Sequence, residues 1–205
     1  MLFPFTALGA IASAAVEQHR DAAERDELTG LFNRRGFKLA LERDFKSSGP
    51  RGAVILCDID HFKQVNDTFG HAIGDNVIQD LAADIQRAIG PSGYAARFGG
   101  EEFIAFLTNV SLQDAASVAQ LIRVAFAERE RQEVNGRKIT VSCGLSAVGE
   151  RERTLDDATD RADRALYSAK AAGRNQVVTF DTRFLEALSE ENAVPGGDAI
   201  SRSVA

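Results

Sequence analysis

The sequence Gly-Gly-Glu-Glu-Phe at residues 99–103 lies between two short apolar or aromatic runs, 94–98 and 104–107. Such runs are typical of β-strands, and two adjacent glycines between them predict a tight hairpin turn with positive φ angles. Glu101 and Glu102 then lie side by side at the tip of the hairpin, where their charges repel each other. Two interpretations stay open for this turn: an ordinary solvated acidic turn, or a site for a cation.

Composition limits the classes of protein to consider. The chain has 205 residues, 44% of them hydrophobic, which is enough for one globular domain with a real core and an appendage. A net charge of −6 argues against a basic surface for nucleic acid, but not against a small anionic ligand held by a metal and local cations. Cys57 and Cys143 lie in strand-like runs without further Cys or His at ligand spacing, so we expect buried free thiols in a reducing compartment.

The first 16 residues carry no charge and have helical spacing of apolar residues. This run is shorter than the roughly 20 residues of a membrane-spanning helix and lacks the basic start of a signal peptide. Two interpretations stay open: the stub of a transmembrane helix with His19 and Arg20 at its cytoplasmic end, or the end of a helix that pairs with another subunit. We therefore divide the chain into a helical connector at 1–25, the main domain at 26–181 and a tail at 182–205.

The rest of the chain alternates helical and strand patterns. An apolar run at 53–57 predicts a central strand buried on both faces, while alternation at 139–147 predicts a half-buried strand preceded by a hairpin turn at Asn135 and Gly136. Periodicity predicts helices after an N-cap at Asn33, at 75–89, at 112–128 and at 155–172, and a final strand at 176–180. We expect a mixed α/β (α+β) fold with an at least partly antiparallel sheet.

Carboxylates follow the central strand directly, at Asp58 and Asp60. This placement is a common way to present metal ligands at the rim of a sheet, although a single aspartate there, such as Asp60, can also cap the next helix. If the strand lies beside the hairpin, Asp58 and Glu101 meet at one rim. Oxygen ligands without His or Cys suit Mg²⁺ or Mn²⁺, which also bind substrate phosphates.

Basic side chains that suit phosphate oxygens are Lys63, Lys170 and Arg174; the alternative for the last two is a basic helix terminus that favours the helix dipole. A metal, a carboxylate pair and a few cations are typical of phosphoryl or nucleotidyl transfer.

Several separate motifs occur in one order along the chain. They are DxLTGLxNRR at 26–35, DIDHFK at 58–63, NDxxGHxxGD at 66–75, GGEEF at 99–103, VSCG at 141–144 and ADxALYxAKxxGRN at 162–175. Together they resemble the GGDEF family of diguanylate cyclases, in the variant whose signature reads GGEEF. The resemblance covers about residues 26–180.

This resemblance implies condensation of two GTP molecules into cyclic di-GMP, with release of two pyrophosphates. It implies a fold similar to the palm of nucleotidyl cyclases and polymerases, a mostly antiparallel central sheet flanked by helices. It places Mg²⁺ or Mn²⁺ on Asp58, the backbone carbonyl of Ile59, and Glu101. Glu101 is also the family's candidate for deprotonating the 3′-hydroxyl, although the metal itself can lower the pKa of that hydroxyl. Glu102 is expected to support the site, and Lys63 counts with these two as catalytic.

The resemblance also implies how the substrate is bound. Asn66 and Asp75 would contact the guanine edge, and a carboxylate that accepts from N1 and N2 of guanine has no such pair to accept from in adenine; the alternative for Asp75 is a helix cap. Further substrate contacts are implied at His71, at the backbone amides of Phe62 and Lys63, and at the phosphate-binding side chains of Lys63, Lys170 and Arg174.

Because one site holds one GTP and the reaction joins two, we expect a homodimer with C₂ symmetry. The N-terminal helix would pair two copies and set how often their sites face each other. The domain would be cytoplasmic, with tethering to the inner face of the membrane left open. Two alternative functions also stay open: an inactive domain of this type that binds GTP or cyclic di-GMP and regulates a partner, and a structural dimerisation module.

One departure from the family pattern generates a prediction. Many members carry an Arg-x-x-Asp product-inhibition motif before the signature, which here falls on residues 90–93, Gly-Pro-Ser-Gly, where neither charge is present. We expect weak or absent inhibition by cyclic di-GMP at this place. Progress curves with added product measure it, and strong noncompetitive inhibition would contradict the prediction.

Overall fold

The structure is a computed structural model, and it describes residues 23–45, 49–91 and 93–180. The predicted tail, and all but the last three residues of the predicted connector, lie outside these ranges. Within them, no helix is both long enough and apolar enough to cross a membrane.

The centre of the fold is one mixed sheet. Its six strands in the described ranges are β1 Phe32–Asn33, β2 Gly52–Ile59, β3 Gly93–Arg97, β4 Glu102–Thr108, β5 Val141–Ala147 and β6 Val177–Thr179. Their order is β1-β3-β4-β2-β5-β6. The three inner pairs are antiparallel, and the two edge pairs are parallel. The predicted fold class, with a mostly antiparallel sheet of the palm type, is confirmed.

Five α-helices of the described chain cover the two faces of this sheet. They are α1 Arg34–Asp44, α2 Phe62–Phe69, α3 His71–Ile89, α4 Leu112–Glu128 and α5 Asp156–Ala171, with a 3₁₀ turn at Gln132–Val134. One core cluster joins α2, α3 and α4 to the sheet, and a second joins α1 and α5 to the other face. The strand β2 contributes alternate residues to both clusters, Ile55 to the first and Leu56 to the second, so it is buried on both faces as predicted.

Local signals in the sequence predict several boundaries correctly. The side chain of Asn33 accepts a hydrogen bond of 2.8 Å from the backbone N–H of Gly36 and caps α1. The bounds of α4 are the predicted ones, and Gly173, with φ +115°, follows the end of α5. Cys57 and Cys143 are buried free thiols on paired positions of β2 and β5.

Two helix caps that the sequence left open as alternatives, at Asp60 and Asp75, do not occur. The helix α3 begins at His71, so Asp75 lies inside it rather than at its start. The residue that precedes α2 is His61, whose φ of 57° is left-handed and whose side chain makes no capping bond, so Asp60 is not an N-cap. The helices α2 and α3 are separated by Gly70 alone, so α3 begins four residues earlier than the sequence pattern predicts.

The strand β5 is also more buried than its sequence predicts. Six of its seven residues are buried, because α5 lies directly against its small side chains. A Cβ atom added at Gly144 would lie 2.2 Å from the backbone oxygen of Ala162 and 2.2 Å from the backbone nitrogen of Leu166. The polar alternation therefore reflects close helix packing rather than solvent. The predicted hairpin turn at Asn135 and Gly136 is a turn with positive φ at both residues, but it joins the 3₁₀ turn to β5 rather than two strands.

The close approach at Gly144 generates a prediction for stability. Replacing Gly144 by alanine puts a methyl group into the backbone of α5, so we expect the free energy of unfolding to fall by about 1–3 kcal/mol. Gly100→Ala is the matched control, since a Cβ atom there meets nothing within 4 Å. Urea denaturation of both variants measures the difference; equal stability of Gly144→Ala and the unsubstituted protein would contradict this packing.

Candidate functional site

The acidic rim of the sheet forms where β2 ends beside the β3–β4 hairpin. Asp58 of β2 lies opposite Glu102 of β4 in the antiparallel register. The backbone N–H of Ile59 donates to the carbonyl oxygen of Glu101 over 3.4 Å. A hydrogen bond thus joins the end of β2 to the signature residues directly. The structure thus brings Asp58, Ile59 and Glu101 together, as the sequence predicts.

The signature turn differs from its predicted backbone. Neither Gly99 nor Gly100 has a positive φ, so the predicted left-handed conformation is wrong. A Cβ atom at Gly99 would lie 2.4 Å from the carboxylate oxygen Oε2 of Glu102, so a larger residue there would have to displace that side chain. Gly100 faces open space. The backbone N–H groups of Phe98 and Gly99 both donate to the carbonyl oxygen of Glu102, over 2.7 and 3.2 Å, and these bonds close the turn without positive φ.

Charge is concentrated at this rim. Asp58 is only 6% exposed, and its Oδ2 atom lies 2.8 Å from the Nζ atom of Lys170. Burial raises the pKa of Asp58, Lys170 opposes that rise, and the charges of Glu102 and Asp60 add to it. Burial and the nearby Asp58 and Glu102 also raise the pKa of Glu101, again against the effect of Lys170. Three carboxylates therefore share a region where one ammonium group does not fully compensate their charge.

This arrangement fits a hard divalent cation. Among the described residues, no three His, Cys, Asp or Glu side chains are grouped closely enough to hold a metal by themselves. The predicted ligand set has only two carboxylates, Asp58 and Glu101, with the carbonyl oxygen of Ile59, and it consists entirely of oxygen. Mg²⁺ binds through one or two carboxylates and takes its other ligands from water and substrate phosphates. The donors present at the rim therefore suit Mg²⁺.

The predicted guanine contacts lie on α2 and α3. The Oδ1 atom of Asn66 is buried and has no hydrogen-bond partner within the described ranges. It packs against Gly74, where an added Cβ atom would lie 1.9 Å from it. Asn66 therefore lies next to the turn of α3 that carries Asp75. The side chains of Asp75 and of His71, in the first turn of the same helix, are exposed.

The predicted phosphate contacts come from two separate helix ends. Phe62 and Lys63 form the first turn of α2, where backbone N–H groups have no acceptor within the helix and attract anions. The side chain of Phe62 is buried and that of Lys63 is exposed. Lys170 lies in the last turn of α5, and the exposed Arg174 follows that helix. Of the predicted cations, Lys170 is the one that the structure joins to a predicted metal ligand.

Arg97 supports the signature turn, and sequence reasoning missed it. Its guanidinium donates to the carbonyl oxygen of Gly100 through Nη2 at 2.6 Å and Nε at 3.1 Å. Its Nη1 atom lies 3.3 Å from Oδ2 of Asp26. Asp26 also accepts from both the backbone N–H and the hydroxyl of Thr29, at 2.9 and 2.7 Å. These contacts join the start of the main domain to the signature turn. Asp26 was visible in the sequence as part of the first motif, but the sequence did not indicate that its partner lies 71 residues away.

Asp60 was singled out in the sequence as a carboxylate at the strand end and as a possible helix cap, but its partners were not predicted. It is 5% exposed, and its carboxylate accepts hydrogen bonds from the hydroxyls of Thr140 and Ser142 and from the backbone N–H of Asn175. It therefore joins the end of β2 to β5 and to the loop after α5, rather than to a metal or a helix start.

A cavity on another part of the described chain does not include the predicted site. It has a volume of about 870 Å³, is lined by α1 and α5 on the opposite face of the sheet, and touches the acidic rim only through Glu102. None of the predicted guanine or phosphate contacts lines it. The predicted site is instead an open edge of the sheet.

Comparisons with known proteins find matches over most of the chain. A family model described as "Diguanylate cyclase, GGDEF domain" matches residues 23–176. The response regulator PleD of Caulobacter vibrioides is 37% identical over 164 residues, which is 77% of this chain and 36% of that protein. The probable diguanylate cyclase DgcT of Escherichia coli is 38% identical over 173 residues, 82% of this chain and 38% of that protein. The chain thus spans little more than a third of the length of these relatives.

Solved structures are similar as well. The coiled coil and GGDEF domain of DgcB from Caulobacter crescentus, solved with c-di-GMP, has a TM-score of 0.77 and 35% identity, covering 85% of this chain and 94% of that one. The active GGEEF domain of a diguanylate cyclase from Vibrio cholerae has a TM-score of 0.63 and 36% identity, covering 73% of this chain and 97% of that one.

The crowded carboxylates generate a prediction for stability in the absence of metal. A raised pKa in the folded state means that the protonated form of Asp58 is favoured there, so its contribution to stability is full below its ordinary pKa and is lost as the pH rises through the folded value. We therefore expect Asp58→Asn, measured in a chelator, to raise the free energy of unfolding at neutral pH, and the gain to shrink as the pH falls towards 4.

Urea denaturation as a function of pH measures this effect. Asp163→Asn is the matched control, because Asp163 lies on the exposed face of α5 and the substitution removes the same charge. A lower stability of Asp58→Asn at neutral pH would show that the ion pair with Lys170 outweighs the cost of burial.

Proposed function

Because the chain belongs to the GGDEF family of diguanylate cyclase domains, we propose that it condenses two GTP molecules into cyclic di-GMP and releases two pyrophosphates. The observation that carries the proposal is the meeting of Asp58 and Glu101 at one rim, with Lys170 beside them. A structural module that binds no nucleotide would have no use for this charge, which is unfavourable to the fold unless a cation is bound.

In each of the two bond-forming steps, a 3′-hydroxyl attacks the α-phosphorus of the other nucleotide and pyrophosphate leaves. Asp58, Glu101 and the carbonyl of Ile59 would hold Mg²⁺, which supplies charge stabilisation for the phosphates and lowers the pKa of the hydroxyl when bound. Glu101 is the candidate for the base that takes the proton of the attacking hydroxyl, and the metal that it would also bind makes that proton easier to remove. Glu102 supports the rim through its charge and its packing on Gly99.

The triphosphate would lie between the two helix ends described above. The N-terminus of α2 offers the backbone amides of Phe62 and Lys63, and the side chains of Lys63, Lys170 and Arg174 add three positive charges. Positioning and charge neutralisation of this kind are the main contributions of proteins to phosphoryl transfer.

Selectivity for guanine would come from α2 and α3. The carboxylate of Asp75 accepts from two adjacent N–H groups of guanine, and adenine presents no such pair. Asn66 has a buried, unpartnered amide oxygen beside the same turn, and His71 lies one turn earlier on α3. These contacts would leave GTP strongly preferred over ATP.

The reaction would need a homodimer, since one copy of this rim serves one GTP. A C₂ pair places two identical rims face to face, and each copy then supplies one nucleotide. The predicted pairing helix lies outside the described residues, and a fused or crosslinked N-terminus that left activity unchanged would count against its role.

Incubation of the purified protein with GTP and Mg²⁺ tests the proposal. We expect cyclic di-GMP and pyrophosphate from the unsubstituted chain, a rate lower by at least about a hundredfold for Glu101→Gln, and little change for the surface control Asp163→Asn. ATP should give no cyclic product.

The oligomeric state is measured in the same preparation. A folded dimer that binds GTP without forming cyclic di-GMP would reject the cyclase and favour an inactive regulatory domain. A folded dimer that binds neither GTP nor cyclic di-GMP would favour a structural module.

A further inference from the structure

The carboxylate of Asp60 holds three parts of the fold together without taking part in the predicted chemistry. Its Oδ1 atom accepts from the hydroxyl of Ser142 at 2.7 Å. Its Oδ2 atom accepts from the hydroxyl of Thr140 at 2.7 Å and from the backbone N–H of Asn175 at 3.0 Å. Two of these donors belong to β5 and the segment before it, and the third belongs to the loop that follows α5.

That loop has an unusual backbone. Gly173, Arg174 and Asn175 have φ angles of 115°, 64° and 46°, so three consecutive residues are left-handed. Only the first is a glycine, and left-handed φ is unfavourable for the other two, above all for arginine. Such a conformation persists when surrounding contacts over-determine it, and it is typical of functional sites.

Hydrogen bonds hold the loop both at Arg174 and at the residue after it. The backbone N–H of Arg174 itself donates to the carbonyl oxygen of Ala169 in α5, at 3.0 Å. After it, Asn175 donates its N–H to Asp60 and accepts, on its side-chain oxygen, a bond of 2.8 Å from Nη1 of Arg123. Of these contacts, the bond to Asp60 is the one made to a buried charge, and such bonds are roughly twice as strong as neutral ones.

Arg174 is exposed and Lys170 lies one helical turn before the loop, with its ammonium on Asp58. The two cations therefore approach the rim from the same helix end. Asp58 lies in β2 and Asp60 directly follows that strand. The end of β2 therefore carries the predicted metal ligand and also fixes the loop that carries a predicted phosphate ligand.

We propose that Asp60 is a positioning residue for the triphosphate: by binding the N–H of Asn175 it holds Arg174 in the left-handed conformation that directs its guanidinium to the substrate. The inference rests on the proposed function, because it takes a nucleoside triphosphate as the ligand. Asp60 itself touches neither substrate nor metal. Its carboxylate acts through the backbone of the loop alone.

Asp60→Asn would keep the bond to Asn175, because its amide oxygen can still accept there while its amide nitrogen donates to the hydroxyl of Ser142. Asp60→Ala is therefore the direct test, since it removes both oxygens and leaves the N–H of Asn175 without its acceptor. We expect the Kd of a non-hydrolysable GTP analogue, measured by titration calorimetry with Mg²⁺, to rise about tenfold. Thr140→Val is the matched control: it removes another hydrogen bond to the same Oδ2 atom but leaves the bond to Asn175. It should lower the denaturation midpoint and change Kd by less than about twofold.

A double-mutant cycle with Arg174→Ala separates positioning from general destabilisation. We expect Arg174→Ala to weaken binding about tenfold in the unsubstituted protein and less than about twofold in Asp60→Ala, because the misplaced arginine no longer contributes there. Asp60→Ser serves if Asp60→Ala does not fold: it keeps a polar group at this position but lacks the carboxylate that accepts from Asn175, so the same loss of coupling is expected.

Equal effects of Arg174→Ala in both backgrounds, or an equal rise of Kd in Thr140→Val, would overturn the role of Asp60. So would an Arg174→Ala variant with unchanged affinity. These outcomes differ from failure of the proposed function, which appears as absence of GTP binding, or of cyclic di-GMP, in the unsubstituted protein.

Discussion

The fold depends on a central strand that is buried on both faces and paired antiparallel on both edges. The strand β2 lies between β4 and β5, and helices cover both of its sides. Polar side chains can be accommodated only where this strand ends, and there Asp58 and Asp60 follow in quick succession. Because both neighbours run in the opposite direction, the end of β2 meets the start of β4 and the start of β5, so the signature turn and the polar residues of β5 converge on the same rim.

The two aspartates at this rim have opposite energetics. The carboxylate of Asp60 is satisfied by three hydrogen bonds and contributes to the fold. The carboxylate of Asp58 has one ammonium partner and two acidic neighbours, and burial raises its pKa. Unfavourable charge of this kind is typical of sites that bind cations, since the bound ion compensates the cost. A carboxylate that stabilises the fold and a predicted metal ligand are thus only two residues apart.

Much of the fold follows from local signals. The cap at Asn33, the bounds of α4 and the continuous apolar run of β2 each depend on residues close together in sequence, where propensity and periodicity act directly. The predictions that failed depend on contacts from elsewhere. The polar alternation of β5 indicates solvent on one face, but α5 packs there, close enough that Gly144 has no room for a side chain.

The sequence by itself determined the motifs and their order, and with them the family and the residues predicted to supply oxygen ligands and positive charge. The tertiary structure decided how they are held. It placed Arg97 between Asp26 and Gly100, closed the signature turn without positive φ, and turned Asp60 from an apparent cap into the support of the loop with Arg174. The physical reason is that a residue's type limits the bonds that it can form, whereas the partner it finds depends on which distant segments the sheet brings together.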